Sequence, residues 1–490
     1  MIVRFHLHAA TRAHPEIAHV VGVVASLLDA PWCIEHFATR ADDGPMIFVG
    51  PIANAPAEAA IIVPCEAWTD WPAAAVRLTT DSEGPRITAI HVPETGQDRQ
   101  LPEDWLRGMA FLLQREEEYE SHHRDEWGCF AAPFSRLHEI GALGLPLVDL
   151  GVARLRRRLD AWAARRGRTL PFRARWHRSA RFAVALTHDV DWTSRRSMRQ
   201  WWRLLRQARK PQDYAFRAGL AGLADSLLST RRGRDPYWTF DRWAELESGH
   251  GFRSTFYVVP SHPTQRHPYD PTYQMQDSLE FRNRRTTVAA MFRVLAEEEF
   301  EIGLHATYLS RGSSEEIAAQ IQQLERAIHT HVRGVRQHFL RFDAADTWSA
   351  HETAGLAYDT TLGYNEAIGF RAGIAAPFHP WSRSDRRPYR LLELPLTVMD
   401  GALFRSLKLD PERAVRRVLE HLDQVESVGG LAVLLWHPNA ADAQAYPGWL
   451  RTYELVLAEL TRRNAWVTTA AAISDWWSQR LRELRVETVS

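Results

Sequence analysis

The stretch Phe182-Ala183-Val184-Ala185-Leu186-Thr187-His188-Asp189-Val190-Asp191-Trp192 carries the reading of the fold. Its first part is a short apolar run, which reads as a buried strand. The run then ends abruptly in a histidine and two carboxylates. Side chains at i and i+2 of an extended segment point the same way, so Asp189 and Asp191 can share one face. Held close they repel, at a cost, unless a cation or a proton neutralises them. A divalent metal on one, with the other kept free as a base, resolves the repulsion and makes a hydrolytic site. Spacing alone equally allows a loop pair in which one carboxylate caps the next segment.

From Arg181 onward short strands alternate with amphipathic helices, the signature of a parallel sheet or barrel. The strand candidates are 182–187, 254–259, 301–305, 335–340, 358–362, 391–396 and 431–436. Helical patterns fall at 237–247, 286–298, 315–330, 346–356, 411–425 and 448–462. Ser313 with Glu316 reads as a capping box, and Asp410 before Pro411 as a cap with a first-turn proline. Seven strands interleaved with helices predict an α/β fold, a seven-stranded (β/α) barrel, with an open doubly wound sheet as the alternative. In either, chemistry belongs at the C-terminal strand ends, where the loops converge.

Chemistry-bearing residues collect there. The third strand delivers His305, a neutral-imidazole ligand or a hydrogen-bonded structural histidine. The fourth carries Arg336, which can hold and orient a carboxylate base or serve as an ordinary ion pair. The last delivers His437, placed to donate a proton to a leaving amine and to help polarise a tetrahedral intermediate. Two insertions interrupt the rhythm. Residues 195–235 read as helical decoration, and residues 260–277 as an irregular loop above the second strand, of the kind that shapes a substrate groove.

Residues 1–175 read as an N-terminal α/β domain and 176–490 as the barrel, since 490 residues exceed one ordinary core. In the first part the runs 46–49 and 60–63 are strands. Segments 105–115 and 152–165 are helices, the second with Val152, Leu155, Leu159 and Trp162 on one apolar stripe. No catalytic motif is evident there. An apolar fraction of 45% is that of an ordinary soluble protein, and a formal net charge of zero argues against a nucleic-acid or anionic-membrane binder. Lys210 and Lys408 are the only lysines, as arginine-rich codon usage produces. Cys33, Cys65 and Cys129 form no CxxC pair. Residues 20–28 are too short an apolar run to span a bilayer, so no stable membrane insertion and a cytoplasmic location are the expectation.

In order and context these motifs resemble the polysaccharide deacetylase family, the NodB-homology carbohydrate esterases, over roughly residues 181–477. The likeness is to a bacterial branch with a separate N-terminal domain and a first motif Leu-Thr-His-Asp-Val-Asp. Tyr358-Asp359-Thr360-Thr361-Leu362-Gly363-Tyr364, Gly369-Phe370-Arg371, Trp436-His437-Pro438 and Tyr446-Pro447-Gly448-Trp449 are similar to that branch as well. The resemblance implies a barrel of polysaccharide-deacetylase type and a metal-dependent hydrolase removing N-acetyl from an amino sugar in a polysaccharide or its precursor. The implied cofactor is a divalent ion, zinc first, and the implied partner is a carbohydrate. By that resemblance Asp189 is the base, Arg336 its orienting arginine, His437 the general acid, and Asp191 and His305 metal ligands. The second metal histidine of the family falls where this chain has Leu309, which cannot ligate. His338 or His262 is then the candidate third ligand, or water fills the position. The aspartate that tunes the acid histidine has three candidates, Asp359, Glu393 and Asp400. A non-catalytic carbohydrate-binding protein on the same scaffold, with Trp192 and Trp436 as sugar-stacking faces, and another C–N amide hydrolase are the rival readings.

Overall fold

Apolar, β-branched runs form parallel strands in both halves of the chain. The computed structural model describes residues 1–486 except 12, 36–43, 66–77, 82–83, 88–98, 102–104, 196–200, 202–204, 207–219, 221–222, 225–233, 261–266 and 268. His262 and most of the insertion 195–235 therefore lie outside the described residues. Near the N-terminus β1 (Val3–Leu7), β2 (Trp32–Glu35), β3 (Met46–Gly50) and β4 (Ile61–Pro64) form a parallel sheet in the order β2-β1-β3-β4. Helices Pro15–Ser26, Trp105–Leu113 and Leu147–Ala164 accompany it. The stripe Val152, Leu155, Leu159 and Trp162 is buried, as its spacing requires.

The main sheet contains β5 (Phe182–Val190), β6 (Thr255–Val258), β7 (Glu301–Ala306), β8 (Gly334–Gln337) and β9 (Tyr358–Asp359). It continues with β10 (Leu392–Glu393), β11 (Val398–Met399), β12 (Leu431–Leu435) and β13 (Ala465–Thr468). The order is β10-β9-β8-β7-β6-β5-β12-β11, with β13 also on β5, and the pairings are parallel. The two ends of this order belong to one chain segment. Leu394 N–H donates to the Asp359 carbonyl at 2.8 Å, and Thr397 N–H donates to the Val433 carbonyl at 3.1 Å. The sheet thus curls round on residues 392–399 into a barrel, which sets aside the open doubly wound alternative.

Two glycines let the interior fill with tyrosine. A Cβ on Gly334 would stand 1.9 Å from the Tyr358 ring, and one on Gly303 would stand 2.6 Å from Tyr257. Both tyrosines are fully buried. Thr287, Ser313 and Asp410 cap the helices Val288–Glu297, Ser314–Ile328 and Pro411–Ser427 by accepting backbone N–H bonds.

The sheet holds nine strands among the described residues where the sequence predicts seven, and the strand expected over 391–396 is broken into β10 and β11, with residues 394–397 between them. Other segments differ as well. The strand expected over 335–340 stops at Gln337, because the chain turns through His338–Leu340 with Phe339 and Leu340 at φ of 58° and 48°. Arg336 therefore lies late in its strand rather than early. The strand expected over 358–362 ends at Asp359, whose Oδ1 takes the Thr361 N–H at 2.8 Å in a local turn. Strand β13 and the helix Ala470–Leu484 were not anticipated, although Thr469 caps that helix by accepting from Ala472 N–H.

One apolar core runs without a break from the N-terminal sheet into the barrel. Buried ions bridge the two parts as well. Glu118 accepts from Arg371 Nη2 at 2.8 Å and from Arg115 Nε at 2.9 Å. Burial alone would raise the Glu118 carboxyl, but these guanidiniums hold it below the usual range. Asp29 likewise receives Arg156, Arg175 and Arg480. Among the described residues no helix is long and apolar enough to cross a membrane.

Candidate active site

Alternation along β5 sorts its last residues. His188 turns out of the barrel, its Nδ1 donating to the Trp436 carbonyl and its Nε2 meeting Glu247, both at 2.7 Å. It is fully buried beside Trp243 and Phe256, a structural post under helix Phe240–Gly249. Asp189 takes the opposite direction. Arg336 Nη1 donates to Asp189 Oδ1 at 2.9 Å and to Thr187 Oγ1 at 2.8 Å, and Nε donates to the Thr360 carbonyl at 3.2 Å. The guanidinium is fully buried, 4.6 Å over the Tyr257 ring. Asp189 is thereby fixed at one oxygen, while Oδ2 lies 3.8 Å from His305 Nε2.

Asp191 stands at the centre of a second set. Its Oδ1 is 3.3 Å from His305 Nε2 and 3.5 Å from His338 Nε2. Its Oδ2 is 3.6 Å from His437 Nε2. Burial would raise its carboxyl, yet His305 and His338 hold it well below the usual carboxylate range. His338 sits between two acids, with Nδ1 3.5 Å from Asp270 Oδ1. Against the downward pull of burial, Asp191 and Asp270 push His338 up to about 9.

Asp191, His305 and His338 offer ligand atoms that all lie within 4.8 Å of one another. The donor chemistry fits a cation. His305 Nδ1 donates to the Arg336 carbonyl at 2.9 Å, so the neutral ring presents its Nε2 lone pair to Asp191. Asp191 Oδ1 is buried and accepts no hydrogen bond. Acceptors thus face one another across the gap. Donor atoms about 2.0–2.1 Å from a shared tetrahedral ion stand about 3.3–3.4 Å apart, close to the spacings found here. Asp270 behind His338 adds the outer carboxylate that commonly orients a ligating imidazole.

His437 closes the far side. Its Nδ1 donates to Asp400 Oδ1 at 2.7 Å, and its backbone N–H donates to Asp400 Oδ2 at 2.8 Å. Burial lowers the imidazole, but Asp400 outweighs it and His437 is pushed up to about 9. Of the three acids left open by sequence, Asp400 is the one on His437. Asp359 meets His351 and Thr361. Glu393 takes Trp348 Nε1–H and Leu362 N–H, and burial, then Asp359, pushes its carboxyl well above the usual range. The side chains of Asp191 and His437 are each 22% exposed, against 5% for Asp189 and none for Arg336. The site is therefore entered from the side of Asp191 and His437.

Leu309 is 47% exposed at the start of a turn and supplies no donor. His338 is the third member of the group that could hold an ion. Trp436 is fully buried with Nε1 donating to the Trp449 carbonyl, so it cannot stack on a sugar; that expectation is corrected. Trp192 packs against Trp201 and Tyr237. Asp270 and Thr187 went unnoticed in the sequence, where nothing separates them from ordinary polar residues of a loop and a strand.

Among solved structures, a candidate polysaccharide deacetylase from Mycobacterium smegmatis aligns at 19% identity and a TM-score of 0.41, covering 64% of this chain and 96% of that one. The chain is similar to polysaccharide deacetylases of known structure. The PuuE allantoinase aligns at 14% identity and a TM-score of 0.42, covering 63% and 94% of the two chains. A CE4 family pseudoenzyme from Bacillus anthracis aligns at 15% identity and a TM-score of 0.26, over 60% and 66%. No family model matches the chain, and neither does any curated protein.

Proposed function

We propose that this protein is a metal-dependent deacetylase that hydrolyses the N-acetyl group of an amino sugar in a polysaccharide or its precursor. The observation that carries this reading is the placement of two proton-handling groups on either side of the Asp191, His305 and His338 set. Asp189 and His437 each have a charged partner of their own, Arg336 and Asp400. In this reading Asp191, His305 and His338 hold a divalent ion, zinc first, which supplies Lewis acidity to the amide carbonyl and to water. Asp189 Oδ2, the oxygen that Arg336 leaves open, takes the proton of the attacking water. The tetrahedral carbon then collapses towards His437, whose Nε2–H protonates the departing amine while Nδ1–H stays with Asp400. Arg336 and Asp400 touch no substrate; they position the base and the acid.

The division near residue 175 belongs to the same proposal, with residues 1–175 as an N-terminal domain. Its Trp127 packs edge-on to Tyr269 and 4.9 Å from Phe339 beside the site, which supports a share in shaping the groove. The test is deacetylation of N-acetylated oligosaccharides by the metal-loaded full chain and by Asp189→Asn. Loss of at least about a hundredfold in kcat, with metal content and Tm kept, is the expected result. Near-wild-type turnover by Asp189→Asn removes Asp189 from its role.

A further inference from the structure

A cavity of about 450 Å³ lies at the opposite end of the barrel from the site. Phe378 and His379 in its wall bond to the start of β10 and its approach, at Glu393 and Leu391. Trp477 and Leu481, also in the wall, belong to helix Ala470–Leu484. The first N–H groups of that helix meet Thr255 at the start of β6 and Glu301 at the start of β7, at 2.9 and 2.8 Å. Helix Pro15–Ser26 and β2 of the N-terminal sheet form the other wall. None of the residues assigned to the reaction lines it.

Two observations mark the cavity as room for a ligand. Its surface is apolar, with Ala18, Val23, Ile34, Phe378, Trp381 and Leu481 in the lining. The second mark is Gly22, inside a helix, where an added Cβ would meet nothing within 4 Å. Glycine disfavours a helix interior, and here it keeps the wall open.

The charged side chains in the lining are arginines: Arg386, Arg387, Arg482 and Arg485, with no acid among the described lining residues. Arg386 and Arg387 are engaged with Glu16 and Glu352, and Arg485 lies 5.9 Å from the Trp32 ring. Arg482 is exposed and makes no ion pair among the described residues. We propose that this cavity binds a single-chain amphipathic carboxylate, its apolar body inside and its anion at Arg482 and Arg485.

Calorimetric titration of the full chain with hexanoate, octanoate and decanoate, each below its micellar concentration, tests the proposal. The expected result is saturable binding of one molecule per chain, tighter by about fourfold per added methylene until the cavity is full. Gly22→Leu fills the space and weakens decanoate at least about tenfold with Tm kept or raised. Should Gly22→Leu not fold, Arg482→Glu on the exposed edge weakens decanoate while leaving decanol unchanged. The proposal is overturned if decanoate does not saturate, if folded Gly22→Leu binds it as the unaltered chain does, or if decanol matches decanoate. Binding only to anionic vesicles, and not to the free acids, overturns it in favour of a membrane surface.

Discussion

Replacing His338 by leucine separates the ligand set proposed here from the pattern that Leu309 interrupts. His338 lies with Nε2 3.5 Å from Asp191 Oδ1 and Nδ1 3.5 Å from Asp270 Oδ1, so it links a ligand to an outer carboxylate. Zinc sites with four protein donors bind with about 10–16 kcal/mol, or about 2.5–4 kcal/mol for each donor. Loss of one donor of three thus costs at least about a hundredfold in affinity. Asp270→Asn keeps a carbonyl oxygen for the Tyr308 N–H, which Asp270 accepts at 2.7 Å, but removes the charge behind His338. An outer partner of this kind is worth about 10–100-fold in metal affinity. Competition of the purified full chain against a graded chelator, with metal counted by mass spectrometry, reads both numbers. Thermal melts of the metal-free variants show whether the fold is kept. Wild-type zinc affinity in folded His338→Leu, or an Asp270→Asn loss larger than that of His338→Leu, refutes the ligand assignment.

Three other outcomes follow from neighbouring contacts. Asp400→Asn sets an amide against groups that donate to both carboxylate oxygens, so kcat falls about 10²–10⁴-fold with metal content unchanged, as single-turnover assays on the loaded enzyme can show. Arg336→Met strands the buried Asp189 carboxylate and costs about 3–5 kcal/mol in urea denaturation, whereas in an Asp189→Asn background the same change costs far less; equal costs in both backgrounds contradict the pairing. His421 is pushed from 6.5 down to about 3, by burial first and then by Arg417, so the unfolded chain takes up its proton before the folded one does. Its contribution to stability is whole above pH 6.5 and is lost as pH falls, by about 3 kcal/mol at pH 4.5. Asp149, raised from 3.8 to about 6 mainly by burial, works in the opposite sense over the same window, its contribution being lost as pH rises. The measurement is therefore the difference between the unaltered chain and His421→Leu at each pH, which should shrink on acidification.

The fold was legible because both of its periodicities are local. Strand β5 is an uninterrupted buried run, and Ser313 and Asp410 announce their helices through caps that the chain carries within one turn. What stayed hidden needed distance along the chain. Asp400, Asp359 and Glu393 look alike as acids after or within apolar runs. Only the approach of β11 to β12 puts Asp400 under His437. Trp436 is beside a motif histidine in sequence yet faces the Trp449 carbonyl, because neighbours on a strand point to opposite faces.

The third corner of the proposed metal set shows the same limit most sharply. Position 309 is reached from His305 by a local turn, and a leucine there reads as a broken site. Position 338 is reached across the sheet. The register pairs His305 with Arg336 and Ala306 with Gln337, so His338, the residue after β8, arrives beside the end of β7. There the chain turns sharply, with Phe339 and Leu340 in the left-handed region, and the His305 and His338 rings stand 4.8 Å apart, nearly edge to face. An imidazole that follows one strand is thereby brought against an imidazole at the end of the next. The sequence shows Leu309 in one letter, whereas the nearness of His338 to His305 and Asp191 exists only in the pairing of two strands.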